Sequence, residues 1–283
     1  MSADTRRIAL LQMTTGIDPA ANASAMARAA QEAAGEGAVM LFTPEMSGLL
    51  DRDRARGSVH VVPEAESPVL AEVRNAAAKA GIWVHIGSLA VKGATDESGG
   101  TRWANRAFVI TPAGEIAARY DKIHMFDVDL ATGETWRESA AYQPGEAVVT
   151  VETPLGCLGL AICYDIRFPA LFEALGQRKC DIIAIPAAFT VPTGRAHWHL
   201  MQRARAVEAS AFIVSAAQVG RHEDGRETYG HSLVVDPWGD VVLDMGEQGG
   251  IGFAEIDLAR IAEVRAQVPS LANRRPIPTS WAP

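Results

Sequence analysis

The chain has 283 residues, 48% of them hydrophobic and 21% charged, enough to bury one large core or two small ones. A formal charge of −8 and a pI near 5.4 argue against a nucleic-acid or anionic-membrane surface, which needs a basic face. No apolar run reaches the roughly 18 residues of a membrane span, and the run after Arg6 and Arg7 is too short for a signal-peptide core. Cys157, Cys163 and Cys180 form no CxxC pair, so neither a disulfide framework nor a zinc knuckle is indicated. A soluble, cytoplasmic protein without cofactor or metal is expected.

Strand-like and helical runs alternate along the chain. RIALLQM (7–13) predicts a strand, and the Ala-rich stretch from Pro19 to about Ala34 a helix that stops at Gly35 and Gly37. AVMLF (38–42) is a second strand, ending at Thr43-Pro44-Glu45. Residues 67–81 carry a complete helix signature: Ser67 as N-cap, Pro68 in the first turn, Lys79 late and Gly81 just beyond. IWVHIGSLAV (82–91) then reads as a strand. TPAGEI (111–116), TPLGCL (153–158) and DPWGDV (236–241) repeat one type I turn chemistry between β runs, so three hairpins are predicted. GGIG near residue 250 reads as a loop before a strand, with no phosphate-binding pattern. Without a linker or repeat, one domain over residues 5–267 is expected, with 268–283 as an extended Pro-rich tail. The fold class is α/β: one or two mixed sheets with helices outside.

Cys163 ends the apolar run CLGLAIC, and Pro169, Leu171, Phe172, Ala174 and Leu175 follow at helical spacing. A thiol at such a strand-to-helix corner lies near helical N–H groups, which favour thiolate; the alternative is an inert core cysteine, the reading given to Cys157 and Cys180. Glu45 ends a strand where a carboxylate has little structural use beyond charge at a helix start. Lys122 ends another β run, where a solvent-facing lysine is the plain alternative. Glu138 lies in an irregular stretch, where a surface charge is the default. His197 and His199, two apart on a helix, face different ways and make a poor metal pair. They are expected in the core or pocket, with His197 and its neighbour Trp198 on the pocket side. A serine elbow and a papain-type Cys–His site both lack their signatures.

Taken together and in order, PEM around Glu45, YDKIH around Lys122, WRES around Glu138 and CYDIRFP resemble the nitrilase (carbon–nitrogen hydrolase) superfamily, with its Glu–Lys–Cys triad and accessory Glu. The resemblance runs from RIALLQM to NRRP, through PAAFT (186–190), TGRAHW (193–198), RARAVE (203–208) and YGHSLVVDPWG (229–239). Residues 216–232 look most like the deaminated glutathione amidase branch. The resemblance implies a four-layer α-β-β-α sandwich and a homodimer, here with the tail from Val268 reaching toward the partner. It implies a thiol amidohydrolase in which Glu45 serves as proton carrier for Cys163, and Lys122 with the Tyr164 backbone N–H holds the oxyanion. Glu138 would orient Lys122 or the substrate amide.

For recognition, Arg167 lies four residues after Cys163 and suits a substrate carboxylate, with Phe189 and Thr190 as the other wall. Its alternative partners are Asp165 and Glu173. The expected substrate is deaminated glutathione, yielding 2-oxoglutarate and a cysteinyl-glycine dipeptide. The alternatives are an omega-amidase acting on primary 2-oxo amides and an idle interaction module on the same fold.

Overall fold

Strand β1 (Thr5–Gln12) alternates so that Ile8 and Leu10 enter one hydrophobic core while Ala9 and Leu11 enter another. A strand buried on both faces needs a layer on each side. The computed structural model, which describes residues 4–95, 101–131, 133 and 135–277, supplies both layers. Helix α1 (Pro19–Gly35) is capped by Asp18, whose carboxylate accepts from the amides of Ala20 and Ala21. After β2 (Met40–Phe42) and the single turn α2 (Arg54–Ser58) comes α3 (Pro68–Ala80), with Ser67 as N-cap and Gly81 left-handed at its end. Helices α1 and α3 cover the outer face of the first sheet through Met26, Ala30, Val73 and Ala77.

That sheet continues through β3 (Trp83–Thr95), β4 (Thr101–Ile110) and β5 (Ile116–Asp121), and the first predicted hairpin joins the last two. A small ribbon, β6 (Asp127–Asp129) with β7 (Thr135–Arg137), follows. The second sheet takes β8 (Thr150–Thr153), β9 (Gly156–Leu160), β10 (Ile182–Ala184) and β11 (Phe212–Ser215), with α4 (Pro169–Gln177) and α5 (Val191–Ala209) on its outer face. A second ribbon, β12 (Val219–Arg221) with β13 (Glu227–Tyr229), precedes β14 (Leu233–Val235) and β15 (Val241–Asp244). Strand β16 (Gly250–Asp257) returns to pair antiparallel with β1, and α6 (Leu258–Gln267) closes the domain.

The two mixed sheets therefore run β16-β1-β2-β3-β4-β5 and β15-β14-β11-β10-β9-β8, face to face between two helical layers. This is the four-layer arrangement, and all three predicted hairpins form. Two expectations need adjustment: GGIG enters β16 at Gly250 instead of forming a loop before it, and β3 runs on to Thr95. Helix α6 is not among the elements expected from the sequence. From Val268 to Ile277 the chain has no helix or strand; Arg274 reaches Glu173 of α4 at 2.7 Å, and Trp281 lies outside the described residues. Among the described residues, no helix is long and apolar enough to cross a membrane.

Candidate active site

Strand β2 delivers Glu45 to the seam between the sheets, and the turn that carries it is fixed from several sides. Gln218 donates to the Glu45 carbonyl at 2.9 Å, and Ser88 accepts from the Met46 amide at 2.9 Å. Gly87 of β3 passes so close to the carbonyls of Thr43 and Pro44 that no side chain fits there. Lys122 follows the last residue of β5, and its amide donates to the Asn105 carbonyl at 2.9 Å. Glu138 opens a short 3-10 turn after β7.

These three residues converge. Lys122 Nζ donates to Glu45 Oε1 at 2.9 Å and to Glu138 Oε2 at 2.8 Å, with the lysine side chain only 2% exposed. Asn105, which sequence reasoning passed over, donates from Nδ2 to both Glu45 Oε1 and Glu138 Oε1, each at 3.0 Å. The remaining oxygen of Glu45 accepts from the Ala188 amide at 3.1 Å, and Glu138 Oε2 also accepts from the Phe126 amide at 2.7 Å. Burial works against the charge on Lys122, but the carboxylates of Glu138 and Glu45 outweigh it and hold the ammonium well above its ordinary pKa.

Cys163 sits where β9 runs out, with its amide bonded to the Pro186 carbonyl at 2.9 Å and its backbone left-handed at φ 48°. It begins a 3-10 turn, Cys163–Arg167, and Arg167 belongs to that turn rather than to α4, which starts at Pro169. The expected thiolate is not what this corner favours. Burial pushes the Cys163 thiol well above its ordinary pKa, the negative charge of Glu45 adds to the push, and Lys122 only partly opposes it. Both effects favour the neutral thiol over the thiolate beside Glu45. Cys157 and Cys180 are both free, with their sulfurs 3.8 Å apart, and neither lines the cavity described next.

Asp165, two residues beyond Cys163, is fully buried and holds the corner in place. It accepts from Tyr120 Oη at 2.7 Å, from the Ile162 amide at 2.9 Å and from the His124 amide at 3.0 Å, and pairs with His124 Nδ1 at 2.7 Å. The YDKIH segment is thus bonded on both sides of Lys122 to the turn that presents Cys163. His124 also stacks on Phe168, centroids 3.6 Å apart.

Glu45, Lys122, Glu138 and Cys163 open together onto a cavity of about 680 Å³. Tyr164, Arg167, Phe189 and Thr190 line it as well. The Arg167 guanidinium lies over the rings of Phe189 (5.6 Å) and Tyr164 (5.9 Å) and within 3.4 Å of His197 Nδ1. It has no carboxylate partner among the described residues; Asp165 is held as above, and Glu173 pairs with Arg274. Two expected pocket members are not there. Trp198 is completely buried against Phe189 and donates to the His231 carbonyl at 2.8 Å, while His197 is exposed and reaches the site only through Arg167. His199, also placed in core or pocket, instead bonds Asp244 at 2.9 Å on the far side of α5.

A buried carboxylate, ammonium and thiol at the end of one cavity, on two facing sheets between helical layers, define an amide-cleaving hydrolase architecture. The chain belongs to the carbon–nitrogen hydrolase family, which it matches over residues 7–266. It is 37% identical over 269 residues to the deaminated glutathione amidase of Yersinia enterocolitica, spanning 95% of this chain and 92% of that protein. It superposes on the crystal structure of Saccharomyces cerevisiae Nit3, a member of branch 10 of the nitrilase superfamily, with TM-score 0.83 and 28% identity over 96% of this chain and 97% of that one. A mutant amidase from Nesterenkonia sp. AN1 matches with TM-score 0.80 and 25% identity over 97% of this chain and 95% of its own. It carries the acetamide moiety of fluoroacetamide on its active-site cysteine.

Proposed function

We propose that this chain hydrolyses a carboxylated 2-oxo amide through a Cys163 thioester, with deaminated glutathione as its substrate. The observation that carries the reading is the buried Glu45–Lys122–Glu138 group opening on the same cavity as Cys163. Glu45 takes the thiol proton as sulfur attacks the amide carbon, and hands it to the departing amine. Lys122 and the Tyr164 N–H stabilise the oxyanion of each tetrahedral intermediate. Water then adds to the thioester with Glu45 as base, releasing 2-oxoglutarate and the free thiol; the amine product is cysteinyl-glycine. Glu138 keeps Lys122 in position and charged.

Arg167 receives the carboxylate of the acyl half, with Phe189 and Thr190 opposite. A cavity of about 680 Å³ is larger than a primary amide of a five-carbon acid requires, which favours the tripeptide-sized substrate over an omega-amidase reaction. The chain is taken to work in the cytoplasm as a homodimer, with residues 5–267 as the hydrolase domain and 268–283 turned toward the partner. Half-exposed Val207 and Trp238, beside Val268, supply apolar surface for that contact. Light scattering reads the dimer directly.

The test of function is intact-protein mass spectrometry of the enzyme mixed with deaminated glutathione, alongside assay of dipeptide release. A 2-oxoglutaryl adduct on Cys163 and stoichiometric dipeptide are expected. Faster release of ammonia from the primary 2-oxo amide would reassign the enzyme to omega-amidase, and no adduct or turnover with any amide would leave an idle module.

A further inference from the structure

The cavity carries more basic charge than its reaction centre needs. Besides Lys122, the side chains of Arg52, Arg54, Arg137, Arg167 and Arg226 line it, and apart from Glu45 and Glu138 the lining acids are Asp51 and Glu227. Much of this charge is already matched. Arg137 grips Asp129 at 2.8 and 2.9 Å, Arg54 donates to the Arg137 carbonyl, and Arg56 occupies Asp51. Arg226 binds Asp224 at 2.7 Å. Arg52 has neither a carboxylate nor a hydrogen-bond acceptor among the described residues.

Arg52 and Arg226 share a platform: each guanidinium carbon lies 5.0 Å from the Trp136 ring centroid. Stacking on an aromatic ring holds a guanidinium in a fixed plane and leaves its N–H edge free for an anion. This platform is separate from that of Arg167, which rests on Tyr164 and Phe189. The two arginines come from different loops, one after the turn carrying Glu45 and the other between β12 and β13. In a chain of net charge −8, an excess of arginine around one cavity attracts anions selectively to that place. Glu227 opposes it, so a carboxylate is held only where it meets the arginines.

We propose that Arg52, with Arg226 beside it on Trp136, is a second carboxylate subsite that binds the terminal carboxylate of the leaving amine. The inference rests on the amidase reading above and adds how the departing half is recognised: the substrate bears a carboxylate on each side of the scissile amide, one for Arg167 and one for Arg52. Selectivity then favours an amine half that ends in a free acid.

The experiment compares deaminated glutathione with its C-terminal carboxamide, which differs only in lacking the distal charge. On the wild-type enzyme, kcat/KM for the acid should exceed that for the carboxamide by about tenfold or more, the usual worth of a charge-assisted hydrogen bond. Arg52→Gln should bring that ratio close to one, and Arg52→Lys should keep part of it. A ratio near one in the wild type, or one that Arg52→Gln leaves intact, overturns the subsite even if turnover is normal. If neither compound is turned over, the amidase reading falls, and calorimetry on Cys163→Ala still decides the subsite. Preferential binding of the acid that disappears in Cys163→Ala/Arg52→Gln supports it; equal binding of both compounds refutes it.

Discussion

The Tyr120 hydroxyl donates to Asp165 Oδ2 at 2.7 Å, joining the strand that leads to Lys122 to the turn that presents Cys163. Both residues are buried, so the bond is not diluted by water. Tyr120→Phe removes the donor while keeping the ring in the core, and Asp165 retains its amide donors and His124. A loss of about 1.5–3 kcal/mol in unfolding free energy is expected, as for a hydrogen bond to a charged group. The looser corner should also lower kcat more than it raises KM. Denaturant titration with steady-state kinetics checks both, and an unchanged kcat would confine Tyr120 to stability.

Asn105 keeps two carboxylates compatible at one lysine, because its Nδ2 donates to each. Asn105→Ala leaves Lys122 as the only side-chain donor shared by the two carboxylates among the described residues. Turnover should fall by about 10–100-fold, since in the proposed reaction Lys122 holds the oxyanion and a misplaced ammonium would hold it less well. Asn105→Asp should be worse, adding a third acid to the group. If Asn105→Asp matched Asn105→Ala in kcat and stability, the bridging amide would have no electrostatic part.

Asn105 also shows where reading the chain stopped. The repeated Thr/Asp-Pro-x-Gly turns marked three hairpins because turn chemistry is local, and Ser67, Pro68 and Gly81 marked α3 for the same reason. Glu45, Lys122, Glu138 and Cys163 stood out by their ordered motifs. Asn105 had no motif; its one signal was a polar residue, poorly suited to strands, between buried Ala104 and Ala107. Trp198 was misplaced because adjacency to His197 says nothing about which face of a helix each occupies. The thiolate expectation weighed the field of a nearby helix and could not see burial or the Glu45 charge, which decide the sign. What was missed depends on contacts between residues far apart in the chain.

The protonation of Cys163 has a direct readout. With the thiol pushed above its ordinary range by burial and by Glu45, the free enzyme should show no thiolate absorbance from this residue at pH 7. Alkylation by iodoacetamide should be slow there and accelerate as pH rises past the ordinary thiol range. Glu45→Gln removes the negative charge while Lys122 remains, so its alkylation profile should shift toward lower pH even as amide turnover collapses. A wild-type thiolate already present at pH 7 would mean that Lys122 dominates instead.

His85 gives the fold an acid limit of its own. It is 1% exposed, neither ring nitrogen has a hydrogen-bond partner, and burial pushes its pKa down from 6.5 to about 3. Between those values the unfolded chain binds a proton that the folded chain refuses. Stability is therefore unaffected above about pH 6.5 and falls as pH drops toward 3, by up to roughly 1.4 kcal/mol per pH unit from this residue. His85→Phe, which keeps an aromatic ring against Phe42, should flatten part of that decline in urea titrations between pH 4 and 7. An identical slope in the variant would assign the acid limb to the buried carboxylates.

Arg167 is the sharpest test of the acyl-half carboxylate. Its guanidinium lies over Tyr164 and Phe189, faces the cavity and has no acid partner among the described residues, so its charge is available to a ligand. Lysine at this place keeps the charge but loses the planar fork that fits both oxygens of a carboxylate. Arg167→Lys should reduce kcat/KM for deaminated glutathione by about 10–100-fold, the equivalent of roughly 1.5–3 kcal/mol for a charge-assisted hydrogen bond. The loss should be carried mainly by KM if the contact is equal in ground and transition states, and by kcat if it sets the amide carbon over Cys163. His197→Ala is the control for indirect action, because His197 touches Arg167 at 3.4 Å and does not line the cavity. It should cost only a few-fold, through a less well-held guanidinium. A specificity constant unchanged in Arg167→Lys would move the acyl carboxylate to another cation of the cavity.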